Sequence, residues 1–221
     1  MITIALDGPS GAGKSSLAKE LAKRLNIVYL DTGALYRTIG LHAKECGVCP
    51  DDAAAVEKIL PGADIDVKLV DGAQAVYLND TAVGDSIRTP EMSDYASRVS
   101  ALPCVRAFLL ETQRGIARRM SVIMDGRDIG SVVLPDANVK IYLTASAEAR
   151  AKRRFHEHQA KGTAITFEEV LADINERDHR DMTREISPRV KAADAIELDN
   201  GEIDLEATAA AALKIIEEKT K

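Results

Sequence analysis

The sequence predicts an α/β protein: a parallel sheet with helices on both faces, plus a small antiparallel insertion. Three observations predict it. Short apolar runs alternate with helix-period segments along most of the chain, as right-handed βαβ crossovers require. A glycine-rich run, Gly8 to Ser15, lies between the first apolar run and the first helix. Between residues 64 and 85 the period drops to two and turn signals crowd together, the pattern of a meander set between helices.

Each element follows from its own pattern. Ile2–Leu6 is a short apolar run ending in Asp7-Gly8 and reads as a buried strand. Leu17, Leu21 and Leu25 recur at i, i+4 and i+8, which predicts a helix over Lys14–Leu25. Ile27–Leu30 reads as a second strand, and Asp31-Thr32-Gly33 supplies capping groups for a helix from about Ala34 to Lys44. Ile65, Val67 and Leu69 alternate with Asp66, Lys68 and Val70, and the hairpin signal Asp71-Gly72 follows. Ala75–Leu78 is a second strand of this insertion, Asn79-Asp80 a second turn, and Thr81–Val83 a third strand. Helices are expected over Pro90–Val99 and Pro103–Arg119, then a strand, Val122–Met124, ending in Asp125-Gly126. Val139–Thr144 is another strand; Ala147–Ala160 and Phe167–Arg184 are helices rich in Arg and Glu. Ala195–Leu198 is the last strand and Leu205–Lys219 the last helix, whose Ala207 to Ala212 stretch suits packing.

Composition narrows the function. The 221 residues are 46% apolar and 29% charged, which fits a globular chain. No run approaches the roughly 18 uncharged apolar residues of a membrane span. Met1 leads straight into the first strand without a basic segment or cleavage site, so no secretory signal is expected. Three cysteines, an odd number, fit a reducing, cytoplasmic location. A net charge of −6 argues against nucleic-acid binding. The charge is uneven: residues 31–95 hold 5 Lys+Arg against 12 Asp+Glu, whereas 96–189 hold 16 against 13 and include 13 of the 16 arginines. The planar arginine fork suits phosphate and carboxylate. A small anionic ligand and a salt-bridged helix surface both fit that pattern.

Gly8-Pro9-Ser10-Gly11-Ala12-Gly13-Lys14-Ser15 matches G-x-x-x-x-G-K-[ST], with a strand before it and a helix after. Glycines let the backbone curl so that successive N–H groups face phosphate oxygens, and the helix start adds its positive end. Lys14 reaches the outer phosphates, and the Ser15 hydroxyl can ligate Mg²⁺. Gly8, Pro9, Ser10, Gly11, Ala12, Gly13, Lys14, Ser15 and Ser16 are therefore the expected nucleoside triphosphate-binding run. Such a loop serves a switch GTPase, a motor ATPase or a small-molecule kinase. No Asn-Lys-x-Asp for guanine is present, and the candidate strand ends Asp125-Gly126-Arg127-Asp128 rather than Asp-Glu. A kinase needs a second, cationic acceptor site, and the remaining motifs look like one.

Asp31-Thr32-Gly33-Ala34-Leu35-Tyr36-Arg37, Asp125-Gly126-Arg127-Asp128-Ile129-Gly130 and Glu176-Arg177-Asp178-x-Arg180-Asp181 together resemble the bacterial-type cytidylate kinases. The resemblance covers essentially the whole chain. Guanylate kinases carry a very similar glycine loop, so the three later motifs decide. Thr32 departs from the family, which more often has Ser; both keep the hydroxyl, and the extra methyl narrows the pocket slightly. The resemblance implies a P-loop NTPase-type core over 1–30, 96–145 and 164–221, a mobile monophosphate-binding region over 31–95 with the insertion at about 64–85, and a short lid over 146–163. It implies the reaction of ATP with CMP or dCMP to give ADP and CDP or dCDP, with Mg²⁺. The alternatives are a guanylate or uridylate kinase, or a P-loop regulatory module that binds nucleotide without transfer. With no long exposed apolar stripe, a monomer is expected.

The resemblance implies the acceptor residues, and their chemistry fits those places. Arg37 lies a turn past the Asp31 cap and Arg127 follows a strand at the carboxyl edge of the sheet, so the two could clamp a phosphate bidentately. The bland alternatives are a surface ion pair for Arg37 and a pair with Asp125 or Asp128 for Arg127. A carboxylate accepts from cytosine N4–H₂, and arginine donates to O2 and N3; the resemblance gives these places to Asp128, Arg106 and Ser97, with Thr32 close by. Arg177, Arg180, Asp181 and Arg184 share one helix face. Arg180 and Arg184 are a like-charged i, i+4 pair, and Arg177–Asp181 an offsetting one. The resemblance places Arg177 and Asp181 at the sugar and Arg184 at the nucleotide. Arg150, Arg153 and Arg154 lie together within one helical turn, ahead of Lys161-Gly162; a basic turn over the triphosphate would neutralise the transferring group, the bland alternative for all three is a solvated lid arginine, and Arg153 and Arg154 are favoured over Arg150. Lys14, Arg127 and Arg153 are the catalytic candidates. Cys46-Gly47-Val48-Cys49 lacks two further convincing metal ligands, Cys104 and His42 making a poor set. His156, His158 and His179 are expected in solvent.

Overall fold

The computed structural model describes every residue except 71, 72, 161 and 221. The expected Asp71-Gly72 turn and Lys161 of the expected lid lie outside the described residues. In chain order the main elements are β1 (Thr3–Asp7), α1 (Lys14–Leu25), β2 (Val28–Asp31), α2 (Thr32–Glu45), α3 (Ala53–Ile59), β3 (Ile65–Val70), β4 (Ala73–Leu78), β5 (Thr81–Ala82), α4 (Pro90–Val99), α5 (Pro103–Ala117), β6 (Val122–Gly126), β7 (Val139–Thr144), α6 (Ala147–Ala160), α7 (Phe167–Thr183), β8 (Ile196–Asp199) and α8 (Leu205–Thr220). Five strands form a parallel sheet in the order β2-β6-β1-β7-β8, and β3-β4-β5 form a second, antiparallel sheet. The chain divides into two compact units, residues 1–27 with 123–221, and residues 28–122.

The first unit is organised by β1. Ile4, Ala5 and Leu6 are wholly buried, so the strand reads as a continuous apolar run rather than an alternation, as a central parallel strand must. It pairs with β7 from Ile4↔Val139 to Asp7↔Tyr142, and β7 pairs with β8 from Ile141↔Ile196 to Thr144↔Asp199. β1 runs one residue past the apolar stretch because the Asp7 carboxylate is fully employed. It accepts from the Ile129 N–H at 2.8 Å and the Gly130 N–H at 2.7 Å, at the start of a wide helical turn over Ile129–Val133. α1 buries Leu17, Ala18 and Leu21 and stops where Asn26 turns left-handed. α7 opens with a capping box between Thr166 and Glu169.

The second unit has its own core, with Leu35 and Ile39 of α2, Val56 of α3, and Val105 and Leu109 of α5. The meander joins that core through Val76 and Leu78, so it is packed, not appended. Its Asn79 and Asp80 both have positive φ, 48° and 63°, as a two-residue turn matched to strand twist demands. α2 starts at Thr32, two residues earlier than expected, because the Asp31 side chain caps it from the Ala34 N–H at 2.9 Å. Gly40 lets α2 approach α4 closely: a Cβ there would stand 2.8 Å from that of Tyr95. α3 was not expected at all; it is seven residues long and buries only Val56, too little for a helical period.

Candidate active site

The glycine run folds as the strand-loop-helix pattern demands. At Gly8, φ is +151° and a Cβ would lie 2.1 Å from the Leu143 carbonyl oxygen, part of β7 and unable to yield. Gly11 and Gly13 are left-handed, at φ 75° and 89°. Gly8→Ala is expected to lose at least about 3 kcal/mol of stability, from strain at this φ plus the clash with a core strand. Urea unfolding reads the loss; a wild-type midpoint would contradict the packing described.

The loop's carbonyls are tied. Pro9 O accepts from Lys14 Nζ at 2.7 Å, Ser10 O from Arg150 Nη1 at 2.8 Å, and Ala12 O from Asn200 Nδ2 at 2.9 Å. The Ser15 hydroxyl donates to Asp125 Oδ2 at 2.7 Å, at the carboxyl end of β6. Hydroxyl and buried carboxylate make a pair of hard oxygen donors, which suits a Mg²⁺ that completes its shell with phosphates and water.

Around this loop the charged side chains are buried or half-buried, and Arg127, Asp128, Asp181 and Arg184 pair with one another. Arg127 Nε donates to Asp181 Oδ2 at 2.8 Å, a partner neither bland alternative foresaw. Burial presses the Arg127 pKa down, but the Asp181 charge and hydrogen bond, with Asp125 and Asp178, lift it above the usual value. Burial would raise Asp181; Arg127, then Arg184 and Arg189, hold it below the usual carboxylate range. Arg184 lies 3.7 Å from Asp128 Oδ1 and 4.0 Å from Asp181 Oδ1. Asp128 is 4% exposed. Lys14 is driven well below the ordinary ammonium range by burial first and by Arg127 second, against Asp125, Asp181 and Asp7.

Burial pushes the Asp7 carboxyl up to about 6, against its two amide donors, with Asp128 raising it further and Lys14 lowering it. A carboxyl raised on folding binds its extra proton in the folded state between about pH 4 and 6, so its contribution to stability falls as pH rises through that window. Asp7→Asn removes the slope. The variant should gain roughly 2 kcal/mol on the wild type between pH 4 and pH 7, read by urea melts at both values; parallel pH curves would contradict the assignment.

The α6 and α7 arginines divide. Arg150 is not a solvated arginine: at 4% exposure it donates to Ala145 O at 3.0 Å, Ser10 O, and Asp178 Oδ2 at 2.6 Å. Arg153 holds the Asn200 carbonyl, with Nη1 3.3 Å from Asn200 Oδ1. Arg154 is half-buried and contributes to the Arg177 field. Arg177 pairs with Asp173 at 3.7 Å and Arg180 with Glu176 at 3.6 Å. Burial lowers the Arg177 pKa, Asp173 opposing.

In the second unit, Thr32 is buried in the first turn of α2. Arg37 Nη2 donates to Asp31 Oδ2 at 2.8 Å, while its Nε is buried without a hydrogen-bond partner among the described residues. Arg106 is buried, donates to Ser100 O at 3.0 Å and lies 5.7 Å from the Tyr36 ring centre. Ser97 is half-buried, its carbonyl accepting from Ser100 Oγ at 2.9 Å. Cys46 Sγ lies 3.8 Å from His42 Nε2, and Cys49 Sγ accepts from Arg98 Nη2 at 3.6 Å.

The structure thus brings Lys14, Ser15, Arg127, Asp128, Asp181 and Arg184 into one charged cluster of the first unit, and sets Arg37 beside Asp31 in the second. Sequence reasoning missed the parts played by Asp7, Asp125, Asp178 and Asn200, and ranked Arg150 behind Arg153 and Arg154. Asp125 alone carried a signal, an acidic residue ending a strand next to a phosphate loop; the others act through partners far away in sequence.

A family model described as cytidylate kinase matches residues 4–218. The chain is 48% identical over 205 residues to the cytidylate kinase of Caldicellulosiruptor bescii, covering 93% of this chain and 91% of that one. It is 47% identical over 216 residues to the cytidylate kinase of Carboxydothermus hydrogenoformans, covering 98% and 97%. Against that of Lactobacillus johnsonii it is 46% identical over 221 residues, covering 100% and 96%.

Proposed function

Because the chain belongs to the cytidylate kinase family, we propose that it transfers the γ-phosphoryl group of ATP to CMP or dCMP, giving ADP and CDP or dCDP. The observation that carries this reading in the geometry is the glycine loop with Lys14 inside it and the Ser15–Asp125 pair at its edge, 2.7 Å apart. Gly8 to Ser16 hold the triphosphate. Ser15 and Asp125 would hold a Mg²⁺ together with phosphate oxygens of the nucleotide, and such an ion would supply charge neutralisation at the transferring group. Lys14 follows the phosphoryl group with its positive charge.

The acceptor falls to the arginines and their neighbours. Arg127 and Arg37 take the monophosphate; the unmet Nε donor of Arg37 is a place for one of its oxygens. Asp128 accepts from cytosine N4–H₂, Arg106 donates to O2 or N3, and Ser97 and Thr32 complete the reading of the base. Arg177 and Asp181 serve the sugar and Arg184 the nucleotide. Arg153 and Arg154, in a lid over 146–163, neutralise the group in flight, and residues 31–95 form the acceptor region. Positioning and neutralisation suffice for phosphoryl transfer, so no general base is assigned. Among the described residues no helix is long and apolar enough to cross a membrane; a cytoplasmic monomer is the setting proposed. A coupled assay of ADP formation with CMP, dCMP, UMP and GMP tests the reading. CMP and dCMP should be the good acceptors; preference for GMP or UMP, or nucleotide binding without turnover, would overturn it.

A further inference from the structure

Asn200 lies at the end of β8, in the turn before α8, and belongs to none of the motifs above. It is 6% exposed although polar, and every group on it is used. Its backbone N–H donates to Thr144 O at 2.9 Å, at the end of β7. Its side-chain Nδ2 donates to Ala12 O at 2.9 Å, across 188 residues of sequence. Its Oδ1 lies 3.3 Å from Arg153 Nη1, and its carbonyl also accepts from Arg153. The amide is therefore specified at both ends: a donor is required toward Ala12 and an acceptor toward Arg153.

The consequence lies in the phosphate loop. No peptide bond in the described chain is cis. In a trans peptide the carbonyl and the following N–H point to opposite sides, so the side that holds the Ala12 carbonyl also decides where the Gly13 N–H faces. Gly13 is left-handed, at φ 89°, and as a glycine has little conformational preference of its own. Arg150 does the same at Ser10 O for the Gly11 N–H, but Arg150 also braces Asp178 and Ala145, so its loss would not be specific. Asn200 has the narrower task.

We infer that Asn200 is a positioning residue for the phosphate cradle, holding the Ala12 carbonyl back so that the Gly13 N–H is presented to a bound polyphosphate. The inference rests on the reading of this loop as a nucleoside triphosphate site, not on the identity of the acceptor. A flexible loop must be ordered as it binds, and a preordered one spares that loss. Asn200 also joins the loop to Arg153, so the lid arginine and the cradle share one support.

The test uses Asn200→Ala with three probes: ATP, inorganic tripolyphosphate and CMP. Titration calorimetry gives the affinity for ATP and for tripolyphosphate, and steady-state kinetics gives KM for CMP. Both polyphosphates should bind about tenfold more weakly, with KM for CMP within about twofold of wild type. Unchanged affinity for both would overturn the inference. A loss for ATP alone would overturn it too, placing Asn200 at the nucleoside rather than the cradle. An equal loss for CMP would do the same, by showing a general loosening. A wild type that binds tripolyphosphate but phosphorylates no CMP sinks the proposed function and leaves this inference standing. Should Asn200→Ala not fold, Asn200→Ser carries the same comparison. Slow solvent exchange of the wild-type Asn200 side-chain amide in the free protein supports the hold, and exchange at the rate of a free amide overturns it.

Discussion

Lys14→Met is expected to lower phosphoryl transfer by about 10³-fold or more while leaving the fold intact. Methionine keeps most of the apolar stem and removes the charge, and interactions aimed at developing charge are typically worth that much. The surroundings explain why the fold should survive. Lys14 is 6% exposed, and burial and Arg127 already press against its ammonium form. Removing that charge relieves a penalty; among the described residues, what the free protein loses is the hydrogen bond to Pro9 O at 2.7 Å and the attraction of Asp125, Asp181 and Asp7. The loss should therefore appear in kcat and not in the melting temperature. A variant that melts like the wild type and still transfers within tenfold of it would remove Lys14 from the mechanism.

Asp128 sets the second large effect. An ionised carboxylate accepts and cannot donate, so it suits cytosine N4–H₂ and opposes the O4 of uracil. Sites built around such a bond reject the wrong partner by about 10⁴-fold or more. Asp128→Ala removes the contact and the repulsion together, so kcat/KM should fall far more for CMP than for UMP, and their ratio should drop below about 10². Asp128 also faces Arg184 at 3.7 Å within a buried cluster, so the alanine variant leaves a buried charge less well matched. Asp128→Asn separates the two roles. It keeps the shape and offers an amide that can turn either end to the base, so it should accept UMP better than the alanine variant does. Steady-state kinetics with CMP and UMP, on protein shown by melting to be folded, reads both. An unchanged CMP-to-UMP ratio in Asp128→Ala would show that Asp128 does not read N4.

The parts of the molecule legible in the sequence are those governed by local pattern. The apolar run before Gly8 marks a central strand because a parallel strand buried on both faces has no alternation to hide. The meander was legible because a two-residue period and Asn79-Asp80 are short-range signals, and both residues take the positive φ that such a turn needs. What escaped depended on partners distant in the chain. β1 continues through Asp7 only because Ile129 and Gly130 supply amides, 122 and 123 residues away. Arg150 and Arg153 look alike on a helical wheel. Arg150 is the more deeply buried, because Asp178 and the Ser10 carbonyl are there to satisfy it. Helical phase places a side chain on a face and does not say what waits opposite. Asn200 had no motif to announce it, since its partner is a backbone carbonyl in a loop at the other end of the chain. α3 fell below the length at which a helical period can be distinguished from chance.

The central claim, that this chain moves the γ-phosphoryl group of ATP onto a cytidine monophosphate, is tested most directly by following the phosphorus itself. ATP labelled in its γ-phosphate is incubated with the protein, Mg²⁺ and an equimolar mixture of CMP, UMP and GMP, and the products are separated. The account requires the label in the β-phosphate of CDP, with little in UDP or GDP. Label recovered only as inorganic phosphate would mean that water, not a nucleotide, is the acceptor. Label chiefly in GDP or UDP would mean that the acceptor site reads a different base, and either result would contradict the account.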